Sequence, residues 1–77
     1  MTPRPYEIWD WETANIVYAF PTLEEAFADV RAEVAANGPG VAASWFLQFD
    51  DRTEGYIIAE GDELVKQAFA SSATVPG

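Results

Sequence analysis

The chain is 77 residues long, 8.5 kDa, and carries 13 acids against 4 bases for a formal net charge of -9 and a pI near 4.1. It has no cysteine and no histidine, which excludes disulfides, thiolate nucleophiles, Cys/His zinc sites and imidazole acid–base catalysis. That charge repels phosphate backbones and anionic lipid heads, so direct binding to nucleic acid or to a membrane is not expected.

A chain this short makes one small domain, expected over residues 1–70, with a stability of about 4–12 kcal/mol by per-residue scaling. Thirteen of its hydrophobic residues are alanine, so the core must come from five Phe, three Trp and three Tyr together with Val, Ile and Leu. Each buried aromatic removes about 150–250 Å² from water, so few are needed. No apolar run reaches the roughly 18 residues of a membrane span. Met1-Thr2-Pro3-Arg4-Pro5 lacks the basic-then-apolar layout of a signal peptide, and a cytoplasmic protein is expected.

Two β-rich runs open the chain, Tyr6 to Glu12 and Ile16 to Phe20. Thr13-Ala14-Asn15 suits a three-residue hairpin loop with Asn15 in the left-handed conformation. That loop sets Trp11 opposite Val17 and Trp9 opposite Ala19, with Ile8, Tyr18 and Phe20 on the other face. Pro21 ends the strand, and Thr22-Leu23-Glu24-Glu25 is a capping box at the start of a helix. Leu23, Ala26, Phe27, Val30 and Val34 form one apolar stripe at helical spacing, closed by Asn37-Gly38-Pro39-Gly40. A turn at Val41-Ala42-Ala43 leads to a third strand, Ser44 to Phe49, followed by a polar loop to Gly55 and a fourth strand, Tyr56 to Glu60. Gly61-Asp62-Glu63 begins a second, short helix with Leu64, Val65, Ala68 and Phe69 as its apolar positions. Residues 71–77 show no periodicity and are expected to be a disordered tail. The whole reads as an α+β domain of ββαββα order, a mostly antiparallel four-stranded sheet with one long and one short helix packed on it. The two halves repeat one pattern without a residue-level match.

The run Tyr6-x-Ile8-x-Asp10-x-Glu12-Thr13-x-Asn15, with Phe20, Thr22-x-x-Glu25-Ala26 and Val30-Arg31, resembles a set of short uncharacterised proteins of GC-rich bacteria. The resemblance continues through Asn37-Gly38-Pro39 and Ile58-Ala59-Glu60-Gly61. Those proteins often carry glycine at the position of Ala14, and the resemblance implies no particular activity. Thr22 to Ala26 is also similar to the Thr-Leu-Glu-Glu-Ala helix start of HicB-type antitoxins, which implies an antitoxin-like regulator, although the usual DNA-binding appendage is missing.

Paired carboxylates can hold a hard cation or divide acid and base roles. Asp10 with Glu12, and Asp50-Asp51 with Glu54, are the pairs to consider; neither has the further oxygen ligands or the glycine spacing of a calcium loop, and solvated acids are the expectation. Ser44, Ser71 and Ser72 have no histidine or nucleophile elbow to activate them. Gly38, Gly40, Gly55 and Gly61 make no phosphate loop, and Lys66 is the single lysine. No catalytic residue, metal or cofactor is expected, and the chain is read as non-enzymatic.

Two surfaces remain. Glu24, Glu25, Asp29 and Glu33 form an acidic ridge on the first helix, read as lying opposite its apolar stripe. It is either a solubilising face or a surface for a basic protein partner, including nucleic-acid mimicry of the kind anti-defence inhibitors use. Trp9, Trp11, Val17, Phe46 and Ile57 fall on the sheet face opposite Ile8, Tyr18, Phe20, Leu47, Phe49 and Ile58. Either the second helix covers this group or it is an interface, since monomers rarely expose an apolar patch of more than a few hundred Å². The expected function is therefore a small acidic protein working through protein–protein contacts, as a homodimer. A nucleic-acid mimic is the alternative and an antitoxin-like regulator the third reading.

Overall fold

A computed structural model of the chain describes residues 3–73. The elements run β1 (Tyr6–Asp10), β2 (Asn15–Phe20), α1 (Leu23–Asn37), a 3-10 turn (Pro39–Ala42), β3 (Trp45–Asp50), β4 (Gly55–Glu60) and α2 (Gly61–Ala73). The order is the ββαββα expected from the sequence. All four strands are antiparallel in one sheet of order β2-β1-β3-β4.

Local chemistry sets the helix ends. The Thr22 hydroxyl accepts from the Glu25 backbone N–H at 3.2 Å and donates to the Glu25 carboxylate at 3.2 Å, tying the first turn of α1 to its N-cap. At the other end Gly38, at φ +88°, donates its N–H to the Val34 carbonyl at 2.7 Å, and Pro39 follows. Helix α2 leaves β4 with no intervening loop, turning on Gly61 at φ +54°. It has 13 residues against 15 for α1 and runs past residue 70, so it is not the short helix expected, and Ser71 to Ala73 belong to it rather than to a tail. The rest of the expected tail, 74–77, lies outside the described residues.

The first hairpin departs from the expected register. The turn spans Trp11 to Ala14, with Trp9 opposite Ile16 and Asp10 opposite Asn15. Ala14 takes the left-handed conformation, φ +56°, in place of Asn15. A β-bulge then intervenes, because Ile8 pairs with Tyr18 and Val17 is the extra residue on β2. The bulge turns Val17 against the core, so the expected place of Val17 beside the tryptophans is wrong and Ile16 stands there instead. The second hairpin repeats the device: Leu47 pairs with Ala59, Gln48 with Ile57, and Ile58 is the extra, core-packed residue. Ile8 faces Leu47 across the central pair, so an approximate two-fold axis perpendicular to the sheet relates the two ββα halves.

That axis decides which face the helices cover. A two-fold perpendicular to a sheet does not exchange its faces, so α1 over β1 and β2 requires α2 on the same side over β3 and β4. The core accordingly lies in one layer: Ile8, Trp45, Leu47 and Ala59 from the sheet, Ala26, Phe27 and Val30 from α1, Leu64 and Ala68 from α2, and Ala42 from the 3-10 turn. Leu23, Val34 and Val65 are half-buried against it, while Phe69 is exposed and not a core position. The Arg31 guanidinium donates to the Ala68 carbonyl at 2.7 Å and links the helices. Toward one end of this face Phe20, Tyr6, Phe49 and Tyr56 are register neighbours across all four strands, with ring centroids 5.2 Å apart for Tyr6–Phe49 and 5.5 Å for Phe49–Tyr56. No helix among the described residues is long and apolar enough to cross a membrane.

Candidate protein interface

With both helices on one side, no helix among the described residues covers the other face of the sheet. Register places two rows on it. Ile16, Trp9, Phe46 and Glu60 make the first, and Ala19, Glu7, Gln48 and Ile57 the second. The first row is apolar over three strands, and Trp11 extends it: its ring lies 4.7 Å from Phe46, while Trp9 stacks on Phe46 at 6.4 Å with the planes 8° apart. Trp11, Ile16 and Ile57 remain 56 %, 46 % and 49 % exposed.

Trp11 stands in the turn after β1, and the start of β3 holds that turn in place. The Trp11 N–H donates to the Ser44 carbonyl at 2.7 Å. The Asp10 carboxylate accepts from the Glu12 N–H and the Ser44 hydroxyl, each at 2.9 Å. These bonds aim the Trp11 ring at Phe46 and not away from the domain. In the second row one Glu7 carboxylate oxygen accepts from the Trp9 indole N–H at 3.1 Å and the Gln48 amide at 2.8 Å. The carboxylate in the middle of the face therefore already has donors from its own sheet.

Of the five residues the sequence grouped here, Trp9, Trp11, Phe46 and Ile57 are together and Val17 is not. Ile16 was missed because its place on this face depends on the bulge. Trp45 lies on the opposite, helix-covered side. It is a core residue, legible from its alternation with Leu47 and Phe49.

The acidic ridge is less regular than expected. Glu24 and Glu25 are exposed, but Asp29 and Glu33 are half-buried at the margin of the apolar stripe and not opposite it. One Asp29 oxygen is buried without a hydrogen-bond partner. Desolvation, with the nearby Glu33 charge adding to it, raises the Asp29 pKa above the ordinary carboxylate value. Glu33 accepts from the Asn37 amide at 3.3 Å.

The other acid groups serve turns. Asp10 is engaged as described, and the exposed Glu12 supplies its N–H, not its carboxylate, to that contact. Asp51 accepts from the Thr53 hydroxyl at 2.8 Å and from the Thr53 and Glu54 N–H groups at 3.1 Å each, which lowers its pKa, the Thr53 hydroxyl most. Asp50 caps the Arg52 N–H at 3.2 Å, and Arg52 is left-handed at φ +84°. Among the described residues no group of three or more acids is placed to hold a metal ion. A search against family models, curated proteins and solved structures finds no match to this chain.

Proposed function

We propose that this is a non-enzymatic protein that acts through protein–protein contacts made by the open sheet face, and that it works as a homodimer. The observation that supports this most is the row Ile16–Trp9–Phe46 extended by Trp11, apolar and uncovered on a sheet whose two helices both lie on the other side. Tryptophan is a favoured anchor in interfaces, and an apolar face of this kind stays in water at a cost that contact removes, about 25 cal/mol per Å². The cytoplasmic setting belongs to the same reading.

The alternative, an acidic mimic of nucleic acid docking on a basic protein, draws on Glu24 and Glu25, which are exposed in the first turn of α1. It is the weaker reading because Asp29 and Glu33, the rest of the ridge, are half-buried. Co-expression of tagged and untagged chains in the native host, with capture at low and high salt, separates the two. Contact through the sheet predicts recovery of the untagged copy, loss of it with a Trp11→Glu bait, and retention with a Glu24→Gln/Glu25→Gln bait. Recovery of a nucleic-acid enzyme at low salt only, abolished by the Glu24/Glu25 pair and not by Trp11→Glu, would favour mimicry. Recovery of the bait alone would contradict both.

A further inference from the structure

An asparagine followed by glycine loses its side-chain amide more readily than any other pairing. Glycine has no Cβ to hinder its nitrogen as it attacks Cγ of the asparagine. The chain has two asparagines. Asn15 precedes Ile16, whose branched side chain crowds that attack, whereas Asn37 precedes Gly38 where α1 ends. Asn37 is exposed, so water reaches it.

The fold holds both reacting groups of this pair back. Attack requires the Gly38 nitrogen to shed its proton, and that N–H is bonded to the Val34 carbonyl at 2.7 Å, the bond that closes α1. The Asn37 amide, the group that must leave, donates to the Glu33 carboxylate at 3.3 Å. Ring closure also needs the Gly38 nitrogen to eclipse Cβ of Asn37, which a helical ψ of about −42° does not allow. The guard is only one turn deep. The last turn of α1 has no basic residue to hold its terminal carbonyls, and helix ends open at far less cost than a core.

We propose that Asn37 is a site of spontaneous deamidation gated by the last turn of α1, intact while Gly38 is bonded to Val34 and converted when that turn opens. The Gly38 nitrogen bonds to Asn37 Cγ as its proton passes through water to the side-chain nitrogen, whose bond to Cγ breaks and which leaves as ammonia. Water then opens the five-membered imide. Breaking its bond to Cγ gives aspartate; breaking its bond to the Asn37 main-chain carbonyl gives isoaspartate, with an extra carbon in the backbone. Either product opposes reclosure. The new carboxylate stands four residues from Glu33 and at the helix end that favours cations. Isoaspartate also displaces Gly38 from Val34, next to a 3-10 turn in which Val41 donates to the Gly38 carbonyl at 3.2 Å and Ala42 is buried in the core.

Peptide mapping by mass spectrometry tests this on the full chain, aged at mildly alkaline pH either folded or in concentrated urea. In urea Asn37 is expected to convert while Asn15 stays intact. The folded chain should convert at least about tenfold more slowly, the factor that an opening cost of about 1.4 kcal/mol sets. Ala36→Gly weakens the last turn at an exposed position without touching the pair, and should speed conversion of the folded chain several-fold while leaving the rate in urea unchanged. Ile58→Val lowers global stability by a comparable amount from the far edge of the sheet, and should leave the folded rate near that of wild type. Equal rates in the folded chain and in urea would overturn control by the α1 cap. So would an Ala36→Gly rate no faster than wild type, or equal acceleration by both variants. An Asn37 that survives in urea would overturn the site itself.

Discussion

Ile8 and Trp9 are neighbours in β1, yet they face opposite sides of one sheet in opposite conditions. Ile8 pairs with Leu47, shares one buried cluster with Phe27 of α1 and Leu64 of α2, and has no surface left to water. Trp9 lies between Ile16 and Phe46 on a face that neither described helix crosses. The difference does not come from hydrophobicity, since Ile8 stands between Tyr18 and Leu47 and Trp9 between Ile16 and Phe46. It comes from symmetry: a two-fold perpendicular to the sheet sends both described helices to the same side and leaves the apolar groups of the other side without one. One face therefore holds the fold together, and the other is free to hold something else.

Substitutions across that divide should separate by size. Leu47→Ala removes a fully buried side chain and should cost about 2–5 kcal/mol, whereas Phe46→Ala, one residue away on the open face, should cost clearly less in the monomer. Urea denaturation on a Trp11→Glu background, where assembly does not contribute, measures both. Equal losses would mean that the two faces are not energetically distinct.

Val17 and Ile16 sharpen the comparison further. The bulge places Val17 against the core and Ile16 outside, so Val17→Ala should cost about 1–2 kcal/mol by the lost methyl groups and Ile16→Ala under about 0.5. The reverse order in denaturant midpoints would restore a hairpin without the bulge. This pair marks where the sequence ceases to be legible. The α1 stripe, its Thr22 cap and the ββαββα order follow from patterns of three or four residues that neighbouring structure does not alter. Register does not: one extra residue in β2 exchanged Val17 for Ile16, and a turn beginning at Trp11 instead of Thr13 moved the left-handed position from Asn15 to Ala14. The side on which α2 packs is fixed by the relation between the halves, which no local pattern carries. The open face was nevertheless readable in four of its residues, because Trp9, Trp11, Phe46 and Ile57 keep their side whichever register β2 adopts.

Ala14 gives a smaller effect of opposite sign. An L-residue at φ +56° is strained, so Ala14→Gly should stabilise the domain by about 0.5–1 kcal/mol, and a higher melting temperature would show it. No change would place the turn in another conformation.

The smallest expected effect belongs to Asp29. Its folded pKa is raised by desolvation and by Glu33, so the folded chain binds this proton more tightly than the unfolded one. The group is therefore neutral to stability below its unfolded pKa, and its penalty grows as pH rises through the folded value. Asp29→Asn should stabilise the protein at neutral pH by a few tenths of a kcal/mol, about the size of a like-charge pair at helical spacing, and should be silent in strong acid. Melting curves at the two pH values test the sign.

The central claim is that the uncovered sheet face is a contact surface between copies, and sedimentation equilibrium tests it most directly. The wild-type chain is expected to be a dimer at micromolar concentration that tightens as salt screens the repulsion between two molecules of charge -9. Trp11→Glu, changed at a residue already 56 % exposed, is expected to be a monomer with an essentially unchanged melting curve. A wild-type chain that stays monomeric at high concentration and high salt would contradict the account.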